Sequence, residues 1–214
     1  MQKKLTKKQI DEIIKILRET YPDSKCSLNF STPFELLVAV MLSAQCTDER
    51  VNKTTPELFK KCTKIEDFEN INISESEKII HPCGFYKNKA HNIKLCAHKI
   101  INTFNGKVPS TMDELLSLPG VGRKSANVVL LEAFGIANGI AVDTHAKRIS
   151  NRIGLSDKAD PSKIEQDLLQ IISPSDIKDI NHLFIWHGRN TCTAKNPNCL
   201  SCTVKKYCKY FNNL

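Results

Sequence analysis

A lysine that follows two closely spaced glycines is the residue of this chain whose position most suggests chemistry. Residues 118–126 read L-P-G-V-G-R-K-S-A, which places Lys124 two positions after Gly122. Pro119 and Gly120 end one short helix, because proline restricts the residue before it and glycine adopts positive φ readily. Apolar residues at helical spacing follow. The pattern therefore predicts a helix, a glycine hairpin and a second helix.

The start of that second helix is expected to bind an anion, since its first N–H groups lack partners and carry the positive end of the helix dipole. The backbone contacts would come from residues 120–123, which are Gly120, Val121, Gly122 and Arg123. A partly desolvated Lys124 in the first turn would lose its proton near neutral pH and act as an amine nucleophile. The alternative is an ordinary turn with a surface lysine. A P-loop fits poorly, because it needs four residues between its first glycine and Gly-Lys, and a preceding strand.

A carboxylate that could assist this lysine follows in the segment V-D-T-H, residues 142–145. Asp143 precedes a helix, so it is expected to be an N-cap. Its functional interpretation is a carboxylate that assists Lys124 or stabilises a cationic sugar. The two interpretations are compatible if the side chain faces a cleft.

Four cysteines close to the C-terminus have the spacing of a metal centre. Cys192, Cys199, Cys202 and Cys208 are separated by six, two and five residues. In a reducing compartment, four thiols in so short a span indicate a metal rather than disulfides. Zinc and an iron–sulfur cluster both remain possible, and the wide first gap favours a [4Fe-4S] cluster. Lys195 in that gap could grip phosphates, or belong to a solvated charge cluster.

Two turns carry side chains that could touch nucleotide bases. Gln45, in the segment S-A-Q-C after a strongly apolar helix, could hydrogen-bond a base edge or simply cap a helix end. Phe85 follows Gly84 beside two lysines, so it could stack on bases or wedge between them. Its alternative place is in the core under the turn.

Composition limits the class of protein. The chain has 214 residues, 41% of them hydrophobic, and a formal net charge of +8, which favours a polyanionic partner. The basic N-terminus lacks the apolar centre of a signal peptide, and no apolar run approaches membrane-spanning length. We therefore expect a cytoplasmic protein. Helical periodicity recurs along the chain without a credible strand, which predicts an all-α fold.

Taken together, the hairpin, the V-D-T-H segment and the C-x6-C-x2-C-x5-C tail resemble the endonuclease III family, the iron–sulfur members of the helix-hairpin-helix DNA glycosylases. The segments L-S-A-Q at 42–45 and H-G-R at 187–189 match this family as well. The resemblance covers nearly the whole chain. It implies two α-helical domains with DNA in the cleft between them. Residues 25–135 would form a six-helix bundle with the hairpin, and residues 1–24 with 136–214 the iron–sulfur domain.

The resemblance also implies the chemistry. Lys124 would be the nucleophile and Asp143 the assisting carboxylate of a bifunctional DNA glycosylase and AP lyase. The four cysteines would hold a [4Fe-4S] cluster. Its partner would be duplex DNA that contains an oxidised pyrimidine, such as thymine glycol, or an abasic site. The resemblance implies a monomer in the bacterial cytoplasm, at the nucleoid.

Two positions depart from the family pattern. Gln45 would fill the gap left by the extruded base, but Cys46 follows it where alanine is common. Phe85 stands where a leucine wedge is usual.

Two rival functions follow from the same motifs: an adenine-excising relative, which lacks this lysine and has an additional C-terminal domain, and a non-catalytic DNA-binding module that holds zinc.

Overall fold

The computed structural model describes residues 4–214. Within this range the chain folds into α-helices and short 3₁₀ turns, and no β-strand is present. The all-α fold class predicted from the sequence is confirmed.

Eleven α-helices occur in the described range. They are α1 (Lys7–Thr20), α2 (Pro33–Leu42), α3 (Asp48–Lys61), α4 (Ile65–Asn70), α5 (Ile73–Ile80), α6 (Tyr86–Phe104), α7 (Met112–Leu116), α8 (Arg123–Phe134), α9 (Thr144–Ile153), α10 (Pro161–Ile171) and α11 (Ile177–Asn190). The 3₁₀ turns are His81–Cys83, Pro174–Asp176, Lys205–Tyr207 and Phe211–Asn213.

The chain divides into two compact units. One consists of Ser27–Ile136, and the other combines the residues up to Cys26 with Ala137–Leu214. The predicted boundaries, after residues 24 and 135, lie close to these positions. The Ser27–Ile136 unit, all of whose residues are described, contains the seven α-helices α2 to α8. The family resemblance implied a six-helix bundle over residues 25–135.

Helix α2 is the centre of the Ser27–Ile136 unit. Thr32 caps it by accepting a hydrogen bond from the Glu35 amide at 3.1 Å, and Pro33 occupies the first helical position. Every residue from Phe34 to Leu42 except Glu35 is buried, as the apolar run nearly all round the helix predicted. Helix α8 packs against α2, so the helix that begins at the hairpin rests on the most buried element of this unit.

The other unit has its own apolar core, to which the two ends of the chain both contribute. Helix α1 begins with a capping box between Thr6 and Gln9 and buries one apolar face, formed by Ile10, Ile13, Ile14 and Leu17. It packs against α11, which in turn packs against α9. Phe184 on α11 is completely buried. The N-terminal helix is therefore part of the same core as the C-terminal segment.

Within residues 4–214, none of the helices combines the length and the apolar character needed to cross a lipid bilayer.

Candidate active site

The hairpin between α7 and α8 is fixed by two buried side chains and one glycine. Leu118 and Val121 are buried, and the Val121 amide donates to the Leu118 carbonyl oxygen at 3.2 Å. Gly120 has φ +77°, and a Cβ atom there would lie 3.0 Å from both Asn92 Cβ and Met41 Cε. Only glycine fits this position without strain and without moving its neighbours. Val121 is therefore fixed in place by two contacts, because its side chain is buried and its amide is hydrogen-bonded within the hairpin.

The amino end of α8 is open, as an anion site requires. Gly122 is the N-cap and offers no side-chain hydrogen bond, and a Cβ atom there would meet nothing within 4 Å. Arg123 and Lys124 in the first turn are both exposed. The N-cap of α8 therefore supplies no capping side chain, and two cationic residues lie in the first turn of the helix.

Lys124 is exposed at the amino end of α8. The sequence led us to predict that partial desolvation would let this amine act as a nucleophile near neutral pH, and this stays a prediction. Because the side chain is in contact with water in the free protein, further removal of water from the amine has to come from a ligand.

Asp143 belongs to the other unit, at the amino end of α9. Its Oδ1 atom accepts a hydrogen bond from the Ala146 amide at 2.7 Å, so the predicted N-cap is confirmed. The segment before it is buried and bound by two polar side chains: the Ile140 amide donates to Glu165, and Asn181 donates to the Ala141 carbonyl. The half-buried carboxylate thus projects from a fixed backbone. Because an ionised carboxylate has about four lone-pair sites, the capping bond leaves Asp143 with acceptor capacity for a substrate.

Gln45 and Phe85 both lie exposed on tight turns of the Ser27–Ile136 unit. Their φ angles are +54° and +48°, in the left-handed region that side chains other than glycine rarely occupy. Such a backbone costs of order 1–3 kcal/mol per residue and is common at functional sites. Phe85 is 65% exposed, so the alternative that it packs in the core is wrong. Both side chains are available to a partner.

The four C-terminal cysteines line one cavity. Cys192, Cys199, Cys202 and Cys208 all contribute to its wall, together with apolar side chains and His187. Burial raises the pKa of Cys202 and Cys208, so thiolates at these two positions need a cation to stabilise them. The donor set of four thiols fits a [4Fe-4S] cluster, and also a four-thiolate zinc ion. Among residues 4–214 no three His, Cys, Asp or Glu side chains are arranged to hold a metal ion.

His187 forms part of the wall of this cavity, a role that the motif alone did not reveal. It is almost fully buried, with Nδ1 3.1 Å from the Tyr21 hydroxyl and Nε2 3.7 Å from the Cys202 sulfur. Burial, and secondarily the charge of Arg148, lowers the pKa of His187 to about 4. The ring is therefore neutral, and it links the N-terminal helix to the cysteine segment.

Two arginines one turn apart on α9 hold the first cysteine of the tail. Arg148 Nε donates to the Cys192 carbonyl oxygen at 3.0 Å, and Arg152 donates to the carbonyl oxygens of Thr193 and Ala194 at 2.7 and 2.8 Å. The cysteine segment is thus tied to the helix that Asp143 caps. The four-residue spacing of Arg148 and Arg152 was visible in the sequence, but the backbone carbonyls that they bind, which lie about 40 residues further along the chain, were not.

Lys195 follows directly after this segment and is exposed. The structure therefore brings the four cysteines together, places Lys124 at the hairpin and places Asp143 at the cap of α9. Lys124, Gln45 and Phe85 lie in one unit, whereas Asp143, Lys195 and the cysteines lie in the other.

Comparison with known proteins assigns the class. Residues 38–174 match the family model of the HhH-GPD superfamily base excision DNA repair proteins. Endonuclease III of Synechocystis sp. (strain ATCC 27184 / PCC 6803 / Kazusa) is 48% identical, over 97% of this chain and 95% of that protein. Endonuclease III of Escherichia coli (strain K12) is 42% identical, over 93% and 94% of the two chains.

Solved structures agree with these relatives. A non-covalent endonuclease III–DNA complex matches with a TM-score of 0.93 at 42% identity, covering 98% of each chain. A trapped endonuclease III–DNA covalent intermediate matches to the same extent. The chain belongs to the HhH-GPD superfamily of base excision DNA repair proteins and, within it, to the endonuclease III family. The resemblance inferred from the motifs is confirmed.

The two glycines of the hairpin are expected to respond differently to alanine. Gly120→Ala should lower the free energy of unfolding by about 1–3 kcal/mol, because alanine is strained at positive φ and its Cβ presses on Asn92 and Met41. Gly122→Ala should cost less, about 0.5–1 kcal/mol, because the added methyl meets open space and the loss is only that of a poorer N-cap. Thermal denaturation of the two variants measures the difference. Equal melting temperatures would show that Gly120 carries no special constraint.

Proposed function

We propose that this protein excises oxidised pyrimidines from duplex DNA and then cleaves the strand 3′ to the abasic site by β-elimination, with Lys124 as the nucleophile. The enzyme class follows from the family: the chain is a DNA glycosylase and AP lyase of base excision repair. The observation that carries the proposal is an exposed lysine beside the open amino end of α8, in a chain whose relative was trapped as a covalent intermediate with DNA.

Binding begins with the DNA backbone. Phosphates next to the lesion would accept hydrogen bonds from backbone amides at the amino end of α8, where the N-cap Gly122 supplies no capping side chain, with Arg123 in the first turn. The formal net charge of +8 makes binding of DNA favourable and sensitive to salt. Lys195, exposed on the cysteine segment, would add a phosphate contact.

The damaged nucleotide has to leave the stack, because C1′ of its sugar is shielded within the duplex. Gln45 would then fill the space that the base vacates, and Phe85 would wedge against the neighbouring bases. The exposure of both side chains on strained turns supports these roles. An aromatic wedge is larger than the leucine usual in the family and stacks on any base.

The chemistry uses an amine and a carboxylate. Neutral Lys124 attacks C1′ with its nitrogen lone pair, and the bond from C1′ to the damaged base breaks, so that the base leaves with the bonding electrons. Asp143 stabilises the positive charge on the sugar and receives a proton from the lysine. The sugar ring then opens: the C1′–O4′ bond breaks, O4′ takes up a proton, and C1′ forms the Schiff base with the lysine nitrogen. The Schiff base acidifies the C2′ proton. Loss of that proton expels the 3′ phosphate by β-elimination, and hydrolysis releases the lysine. DNA itself would remove water from the exposed amine.

The tail would hold a [4Fe-4S] cluster through the four cysteines. When bound, the cluster supplies four iron–thiolate bonds that cross-link the last part of the chain. His187 and the α9 arginines fix the segment that carries the ligands. The role proposed for the tail is structural and DNA-positioning. The proposal treats the protein as a monomer that acts in the bacterial cytoplasm, at the nucleoid.

Replacement of the nucleophile tests the central step. Lys124→Gln should abolish the covalent complex that borohydride traps with duplex DNA containing thymine glycol, because an amide cannot form a Schiff base. Its affinity for the same DNA should stay within about threefold. Lys107→Gln removes another exposed lysine of the same unit, away from the hairpin, and should trap normally. Trapping that survives in the Lys124 variant would identify another amine as the nucleophile.

Replacement of the carboxylate separates catalysis from capping. Asp143→Asn should slow single-turnover excision by about 10²–10⁴-fold with nearly unchanged DNA binding, because asparagine caps helices as well as aspartate does but cannot accept the proton. Asp160→Asn is the matched control, since Asp160 caps α10 in the same unit. If Asp143→Asn loses binding and turnover to the same extent, Asp143 acts only as a cap.

The visible spectrum of the purified protein distinguishes the two metals. A [4Fe-4S] cluster gives a yellow-brown protein, whereas a four-thiolate zinc site is colourless. Cys208→Ser should bleach the colour and lower the melting temperature, because one of four ligands is lost. A colourless protein with one bound zinc would overturn the iron–sulfur assignment and leave the lysine chemistry unaffected.

A further inference from the structure

A buried lysine lies between the two strained turns and takes no part in the chemistry above. Lys89, on the first turn of α6, is only 7% exposed, although lysine is among the residues least often buried. Its ammonium donates to three backbone carbonyl oxygens, those of Leu42, Ala44 and Cys83, at 2.8, 2.8 and 2.9 Å. An ammonium has three protons, so each has an acceptor.

The three carbonyls belong to the segments that carry the exposed side chains. Leu42 is the last residue of α2, where carbonyls lack helical partners and the helix dipole is negative, which suits a cation. Ala44 directly precedes Gln45, in a turn closed by a hydrogen bond from the Cys46 amide to the Ser43 carbonyl. One ammonium thus stabilises both the end of α2 and the turn that follows it.

The third carbonyl belongs to the other turn. Cys83 ends a 3₁₀ turn and is followed by Gly84 at φ +69° and Phe85 at φ +48°. Phe85 is the N-cap of α6, and its carbonyl accepts the Lys89 amide at 3.1 Å. Lys89 therefore binds this turn through both its backbone and its side chain.

Three described residues other than glycine have positive φ: Gln45, Phe85 and Asn105. Lys89 bonds to the turns of Gln45 and Phe85. Asn105 lies instead at the C-cap of α6, where a left-handed residue is common. Burial lowers the pKa of Lys89 by desolvation, which shows that placing a cation here is costly. A side chain that only closed one helix end would not need to reach a second segment 40 residues away.

We propose that Lys89 is the positioning residue that holds the Gln45 turn and the Phe85 turn at a fixed separation, so that the two side chains enter damaged DNA together. The inference rests on the proposed function, since it takes both side chains to be DNA contacts. The buried amine of Lys89 would thus set the distance between Gln45, which replaces the extruded base, and Phe85, which wedges between the neighbouring bases.

The test uses Lys89→Met, which keeps the length and helix propensity of the side chain and removes its three donors. The probe is a duplex with a tetrahydrofuran abasic analogue, with 2-aminopurine in the opposite strand. Lys89→Met should weaken binding about tenfold by fluorescence anisotropy and reduce the 2-aminopurine signal of base displacement. Lys94→Met is the control: it removes a lysine on the same helix that donates to the single carbonyl of Ile71, and it should bind like the wild type.

A double-mutant cycle shows whether Lys89 acts through the two turns. In a Gln45→Ala, Phe85→Ala background, Lys89→Met should cost less than about twofold in affinity. A full tenfold loss there would overturn the proposal, because Lys89 would then act elsewhere. Wild-type affinity and fluorescence for a folded Lys89→Met protein, judged by circular dichroism, would overturn it too.

If Lys89→Met does not fold, the deciding test is a double-mutant cycle of Gln45→Ala and Phe85→Ala in the protein that keeps Lys89. If the two turns are held as one unit, the losses of DNA affinity should differ from additivity by at least about threefold. Additive losses would overturn the proposal. Failure of the proposed function has a different signature: the wild type would give no trapped complex, or neither alanine variant would weaken binding.

Discussion

The amino end of α8, left open toward solvent, is the constraint on which the site depends. A helix start without a capping side chain is ordinarily a cost, because its first N–H groups stay unsatisfied. Here the N-cap Gly122 supplies no capping side chain, while Gly120 brings the chain against Asn92 and Met41. The buried helix α2 packs against α8 and supports its amino end. In the proposed function, this end of α8 is an anion site that is formed before any anion binds.

Long cationic side chains bound to backbone carbonyls organise both units. Lys89 joins two turns in one unit, and Arg148 and Arg152 join α9 to the cysteine segment in the other. A carbonyl neutralises a cation only partially, so these contacts secure loops without adding carboxylates. The use of neutral carbonyls instead of carboxylates keeps the net charge at +8, which suits a protein with a polyanionic partner. Lys89, the buried one of the three, has a carbonyl acceptor for each of its N–H groups, which offsets the cost of burying its charge.

Local chemistry made much of the fold predictable. The helix at α2 could be read from Thr32, Pro33 and its apolar run, and the cap at Asp143 from its place before a helix. The hairpin followed from two glycines and a proline. These predictions succeeded because caps, glycine turns and helical periodicity act over a few residues. The six-helix bundle that the resemblance implied for residues 25–135 compares with seven α-helices, α2 to α8, in the Ser27–Ile136 unit.

The sequence by itself determined which residues are chemically competent: an amine after a glycine hairpin, a capping carboxylate and four cysteines at metal-site spacing. Only the tertiary structure decided how exposed Lys124 is, that Phe85 points outward, and that Lys89, Arg148 and His187 support the turns and the cysteine cavity. Burial and hydrogen-bond partners depend on segments that are remote along the chain. No local pattern encodes which carbonyl a lysine will reach after folding, because that contact is set by packing.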